Sequence, residues 1–182
     1  MINLARENIL GRVRTALRVQ APRPAPPTTS AIWPPIGDLE TRFREEFAAV
    51  KGELLPDADS LTNFLTGFAK VARACEGTVR DADLGVTGCE CLIAQTGSIV
   101  VSTLAAGGRA LSVLPPVHLV LARRDQLVPD LAAAIHLLRQ RYEGRWPSAL
   151  SVITGPSRTA DIEKILVMGA HGPKRLVLAF QN

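Results

Sequence analysis

Aromatic residues are scarce: five Phe, two Trp and one Tyr make up 4% of the 182 positions. That is too few for the stacking platforms with which proteins hold single-stranded nucleic acid. No apolar run approaches the roughly 20 residues needed to cross a bilayer. The first eighteen residues mix arginine into their apolar positions and lack the core and cleavage site of a secretory leader. No membrane partner is expected, and the predicted location is cytoplasmic. The three cysteines are odd in number, and Cys89-x-Cys91 lacks the two-residue gap of a metal knuckle. Buried, reduced thiols are expected at Cys75, Cys89 and Cys91, and neither metal nor cofactor is assigned to this chain. Gly-x-Gly-x-x-Gly and Walker loops are also missing, which removes the two standard nucleotide fingerprints. Charge of one sign is confined to one place. Arg6, Arg12, Arg14, Arg18 and Arg23 face only Glu7 before Pro24, which accounts for the whole excess of +4. A basic arm can touch RNA or an acidic surface, but the solvated face of a short helix explains it more simply, and nucleic acid is not an expected partner.

What is present is the composition of a folding domain: 47% hydrophobic and 21% charged residues. Ile9, Leu10, Val13 and Leu17 recur at helical spacing, and the run from Ala21 to Pro27 then removes amide donors and enforces an extended path. Residues 1–19 are read as a helical arm, 20–35 as a proline-rich linker and 36–182 as a single α/β domain. Asp38 opens a second helix carrying Leu39, Phe43, Phe47 and Val50. Asp59 or Ser60 opens a third, carrying Leu61, Phe64, Leu65, Phe68, Val71 and Cys75. Beyond Gly85 the texture becomes strand-like. Cys91–Gln95 and Ser98–Ser102 meet at Thr96-Gly97 as a hairpin, and Val117–Ala122 is a buried strand. A helix from about Pro129 to Tyr142 turns Leu131, Ile135, Leu138 and Tyr142 inward. Leu150–Thr154 is the next strand, a polar turn and short helix follow, and Arg175–Phe180 closes the chain. The alternation predicts a Rossmann-like, mostly parallel sheet flanked by helices, with parallel pairing through right-handed crossovers.

The most chemically loaded segment runs from Thr154 through Gly155-Pro156-Ser157-Arg158-Thr159-Ala160-Asp161-Ile162-Glu163. Following a strand, it is expected at the carboxyl edge of the sheet, where open α/β folds bind ligands. Gly155 permits close approach, while Ser157, Thr159 and Arg158 together can hold a carboxylate or phosphate at a helix start. The same string reads equally as a helix N-cap with Asp161 and Glu163 complementing the dipole, and Asp161 can orient Arg158. Thr87-Gly88 and Thr96-Gly97 offer donors to an oxyanion or form ordinary turns. Gly107-Gly108-Arg109 is a loop that either closes over a ligand or only connects elements. Cys89 has nothing in its local sequence to activate it as a nucleophile. Among the histidines, His136 reads as surface and His118 as a satisfied core residue, leaving His171 before the last strand as the acid-base candidate.

Ile9-Leu10-Gly11-Arg12-Val13-Arg14-Thr15-Ala16-Leu17 resembles the N-terminal helix of the lactate-utilisation protein C family, whose core is the LUD domain. The similarity continues, in the family's order, through Gly85-Val86-Thr87-Gly88-Cys89, Ile93-Ala94-Gln95-Thr96-Gly97-Ser98, Leu114-Pro115-Pro116-Val117-His118, the Gly155–Glu163 string and His171-Gly172-Pro173. The resemblance implies a fold like that of formyltetrahydrofolate cyclo-ligase, ribose-5-phosphate isomerase and the CoA-transferases. It also implies a role in oxidising L-lactate to pyruvate beside two partner proteins, one or both carrying iron–sulphur clusters. Gln95 departs from the family's glutamate, so a carboxylate acting there is lost. Only Glu76–Leu84 stand where the family places a strand, a helix and a strand. Either the sheet is truncated at that edge or a segment near 77–84 is missing; the apolar helix faces that truncation would leave uncovered favour the second.

The expectation is therefore a lactate-utilisation subunit with a small-anion site. Arg158 is its carboxylate clamp, with Ser157, Thr159 and Gly155 beside it and Thr96, Gly97, Thr87, Gly88 and Arg109 around it; His171 and Asp161 are the proton handlers. The alternatives are a non-catalytic assembly or regulatory subunit of the same complex, and an independent cyclo-ligase-like enzyme.

Overall fold

The two longest apolar runs, Val117–Arg123 and Arg175–Gln181, pair in parallel along seven residues, from Arg175 opposite Val117 to Gln181 opposite Arg123. Both are buried on both faces through most of their length, as strands in the middle of a parallel sheet must be. The structure, a computed structural model, describes residues 4–18, 22, 34–73, 79–104, 106–159, 167–168 and 172–181. The chain divides into two units, Met1–Pro34 and Pro35–Asn182. The described part of the first is helix α1 (Leu4–Leu17), which has no buried residue.

In the second unit, α2 (Leu39–Ala49), β1 (Glu53–Leu55), α3 (Ala58–Thr66), β2 (Val71–Arg73), β3 (Leu84–Thr87), β4 (Cys91–Ile93), β5 (Ser98–Ser102), β6 (Val117–Arg123), β7 (Leu127–Val128), α4 (Leu131–Tyr142), β8 (Leu150–Ile153), β9 (Arg158–Thr159), β10 (Val167–Met168) and β11 (Arg175–Gln181) follow in order. Five strands make a wholly parallel sheet in the order β1-β11-β6-β3-β2. A second sheet, β7-β4-β5-β8, is mixed. One face of the parallel sheet packs Leu84, Val86, Leu119 and Val177 against Leu61, Phe64 and Leu65 of α3. Its other face meets the second sheet across a core of Val120, Leu176, Leu178, Leu92 and Ile99, closed by Phe43 and Phe47 of α2. The outer face of the second sheet is covered by Ala134 and Leu138 of α4.

The α/β class and the largely parallel sheet agree with the sequence reading, and so does the hairpin β4–β5. Three particulars differ. The third helix is capped by Asp57, whose carboxylate accepts from the Ser60 amide, and runs from Ala58 to Thr66; Val71, expected on its face, instead belongs to β2, which pairs with β3. β8 does not join β6 and β11 in parallel but pairs antiparallel with β5. The cause is β7, a two-residue strand too short to leave a periodic signal, which carries the chain into the second sheet before α4 begins. Finally, α4 is rotated: Leu131 and Ile135 are 51% and 44% exposed, while Ala134 and Leu138 face the sheet. Alanine at the contact lets the helix approach β4 and β5 closely, which two facing branched side chains would prevent.

β2 and β3 are parallel neighbours joined by residues 74–83, of which Val79–Asp81 form a 3-10 turn. That is less than the dozen or more residues a parallel crossover ordinarily takes. Cys75, His171, Asp161 and Glu163 lie outside the described residues, as does most of the proline-rich segment.

One charge is buried between the layers. Glu90 accepts from the Ser102 hydroxyl at 2.5 Å, the Tyr142 hydroxyl at 2.6 Å and the Arg141 guanidinium at 2.5 Å. Burial works to raise its carboxyl pKa, but the bonds from Ser102, Tyr142 and Arg141 together outweigh it and hold the group below its ordinary 4.5. A carboxyl held down in the folded state contributes its stability in full above 4.5 and loses it as pH falls. Glu90→Gln is expected to be less stable than the parent at neutral pH in urea denaturation, with the gap closing on acidification below about 4.5.

Candidate functional site

Pro115-Pro116 stiffen the approach to β6, and the Pro116 carbonyl accepts from the Lys174 amide at 2.8 Å, fixing the start of β11 beside the start of β6. The Ser157 amide donates to the Pro173 carbonyl at 2.9 Å, which ties the 155–157 loop to the same place. Gly155 has φ +81°, and an added Cβ would collide with the Val50 carbonyl, so only glycine lets the loop lie against the end of α2. Gly85 sits opposite His118 in the sheet, and there a Cβ would strike the Leu111 carbonyl. Its glycine thus draws the 111–115 segment over the sheet.

These close approaches frame a cavity of about 160 Å³ whose wall includes Ser112, His118, Ser151, Gly155, Ser157 and Leu176. It is roughly ten times what one water needs and smaller than the roughly 300 Å³ at which clefts for drug-sized ligands begin. It lies at the amino ends of β6 and β11. The carboxyl edge expected from the sequence is therefore corrected: β8, which leads into Gly155, belongs to the second sheet, and its end is brought to the opposite edge of the parallel one.

His118 is the one ionisable side chain among the lining residues, and its ring exposes no surface. It is fully buried, and Nε2 lies 2.8 Å from the Thr87 hydroxyl. Nδ1 is buried with no hydrogen-bond partner among the described residues. Burial pushes its pKa down to about 4, so the ring is neutral at physiological pH. The sequence reading of His118 as a satisfied core residue is half right, since one nitrogen is paired and the other is not. The signal that could have marked it is a lone imidazole in the otherwise apolar strand Val117-His118-Leu119-Val120-Leu121-Ala122. Ser112 and Ser151 carried no sequence signal; topology alone brings them here.

Of the residues singled out in the sequence, Gly155 and Ser157 line the cavity and Thr87 holds its histidine. Arg158 is exposed, one residue beyond Ser157 and extended in β9, which pairs with β10. Thr159 is described in its backbone alone. Arg109 is exposed; its carbonyl accepts from the Ser112 hydroxyl at 3.1 Å. Thr96 is linked through Ser98 to Thr154 by hydroxyl contacts of 2.7 and 2.8 Å, ending one residue short of Gly155. Gly97, at φ +58°, abuts the Phe47 backbone. Gly88 has open space around its Cβ position. None of Thr96, Gly97 and Gly88 lines the cavity. Cys89 and Cys91 are buried free thiols. Burial, with the neighbouring Cys91 and Glu90 adding to it, pushes Cys89 up to about 12, the opposite of an activated nucleophile.

Residues 37–180 match the LUD domain. A protein named Lactate utilization protein C from Anoxybacillus flavithermus is 37% identical over 92 residues, half of this chain and 40% of that protein. Its namesake from Bacillus subtilis is 36% identical over 94 residues, 50% of this chain and 39% of its own length. This chain thus spans about 40% of these relatives. A crystal structure of a DUF162 family protein from Deinococcus radiodurans superposes with a TM-score of 0.58 at 20% identity, over 78% of this chain and 95% of that one, which establishes the common fold. With the match covering nearly all of the second unit, including every residue of the cavity wall, the chain belongs to the LUD domain family.

Proposed function

We propose that this chain serves lactate utilisation as a subunit that holds a small carboxylic acid, beside iron–sulphur partner proteins that oxidise L-lactate to pyruvate. The observation that carries the reading is the meeting of Gly155 and Ser157, from the family's most specific string, with the buried His118 in a cavity sized for a three- or four-carbon acid. The names of the similar proteins from Anoxybacillus flavithermus and Bacillus subtilis support the pathway. In this reading the apolar wall takes the body of the acid and Ser157 donates to it. Arg158, exposed one residue further on, takes the carboxylate at the mouth, where water lowers the cost of a charge. Thr159 adds a second hydroxyl, and His171 or Asp161 moves the proton in any turnover.

Isothermal titration with L-lactate and pyruvate tests the site. At least one is expected to bind the parent, and Arg158→Ala is expected to weaken it by tenfold or more; equal affinity in the variant overturns the clamp. A second reading, an assembly subunit, draws on the exposed apolar residues Leu4, Ile9, Val13 and Leu17 of α1. Deletion of residues 1–35 is expected to leave acid binding intact. Loss of co-purifying iron–sulphur partners with the second unit still folded would favour docking through the arm.

A further inference from the structure

We infer that β8 is the docking edge for a second copy of this chain: two β8 strands pair antiparallel about a two-fold axis at Val152 and join two four-stranded sheets into one.

The backbone shows which groups that edge offers. In the antiparallel ladder of β5 with β8, Val101 stands opposite Ser151 and Val100 opposite Val152, and one step further on the Thr103 amide donates to the Ala149 carbonyl. Hydrogen-bonded and non-bonded pairs alternate in such a ladder. Ala149, Ser151 and Ile153 therefore turn their main-chain groups to β5, while Leu150, Val152 and Thr154 turn theirs outward. β8 is the last strand of its sheet, and none of the described residues bonds to those outward groups. Ser151 and Ile153 face the cavity, so Leu150 and Val152 project from the opposite face, the one that carries α4. That helix packs mainly over β4 and β7 and leaves Val152 52% exposed.

An open edge is a hazard that proteins ordinarily blunt with charge, proline or brevity. The outer strands at the other ends of the two sheets are treated in this way. β1 carries Glu53, paired with Arg175. β2 is bracketed by Lys70 and Arg73, and β7 is two residues long and runs into Pro129. β8 has none of these guards, since the segment from Ser148 to Thr154 contains neither a charge nor a proline.

A second β8 is the occupant that fits. About a two-fold axis at Val152 the strand is self-complementary: Val152 meets its own counterpart, Leu150 meets the counterpart of Thr154, and each outward amide finds a carbonyl with no like charges opposed. The whole excess of +4 lies before Pro24, so two copies of the second unit approach without net repulsion. The pairing consumes the same edge on both copies, so assembly stops at two and does not run on into a fibre. The seam also braces the strand that gives Ser151 and Ile153 to the cavity wall.

Light scattering and thiol cross-linking on the full chain test this. The parent is expected at twice its 19.5 kDa. Val152→Lys, which changes an exposed side chain, is expected to be monomeric with the thermal stability of the parent, whereas Ile9→Lys in α1 is expected to remain dimeric. In a two-fold pairing the two Cα atoms of position 152 lie about 5.5 Å apart, within disulfide range. Mild oxidation of Val152→Cys is thus expected to give a covalent dimer whose peptide map shows the two introduced thiols linked to each other. A parent that is monomeric up to its solubility limit overturns the inference. So does a dimer that survives Val152→Lys or is lost in Ile9→Lys, and so does a dimeric Val152→Cys chain in which that link does not form.

Discussion

The seven-residue parallel pairing of β6 with β11 is the constraint on which the rest depends. It sets Leu176 opposite His118, and the Pro116 carbonyl, just before β6, takes the amide leading into β11. Two walls of the cavity are referred to that junction: the 155–157 loop through Pro173, and the 111–115 segment through the glycine facing His118 on the other side of β6. A one-residue slip between the two strands would send His118 and Val120 to the face packed on α3, taking the imidazole out of the cavity and a valine out of the core.

The sequence exposed the fold where burial is written as a run or a period. Val117–Ala122, Arg175–Phe180 and the hairpin around Thr96-Gly97 are found as read, because continuous apolar runs and a Thr-Gly turn are local signals. Beyond that hairpin the second sheet was not legible. Its organisation turns on Leu127-Val128, two residues without a pattern, and on a choice of partner for β8 that no spacing within β8 specifies. The helix α4 shows a related limit: a stripe through Leu131, Ile135 and Leu138 is as periodic as one through Ala134 and Leu138, and only the distance to the sheet selects the smaller side chain.

The site was partly legible for the same reason. Gly155 and Ser157 stood out as an unusual string after a strand, and both line the cavity. His118 was visible but read as settled, since a sequence cannot say whether one nitrogen or two will be paired. Ser112 and Ser151 come from a loop and from the second sheet, and nothing near them in the chain marks them. The expected edge was wrong because it followed from β8 being part of the parallel sheet, so a single error of topology moved the candidate site to the opposite edge of that sheet.

The 155–157 loop is held by main-chain groups: the Ser157 amide on Pro173, and a glycine pressed under Val50. Its side chains carry none of that load. Exchanging the hydroxyls of Ser157 and Ser151 for methyl groups, or the reverse, would therefore recast the cavity's chemistry while its frame stayed in place, which is how one scaffold can be retuned from one small metabolite to another by a few point changes.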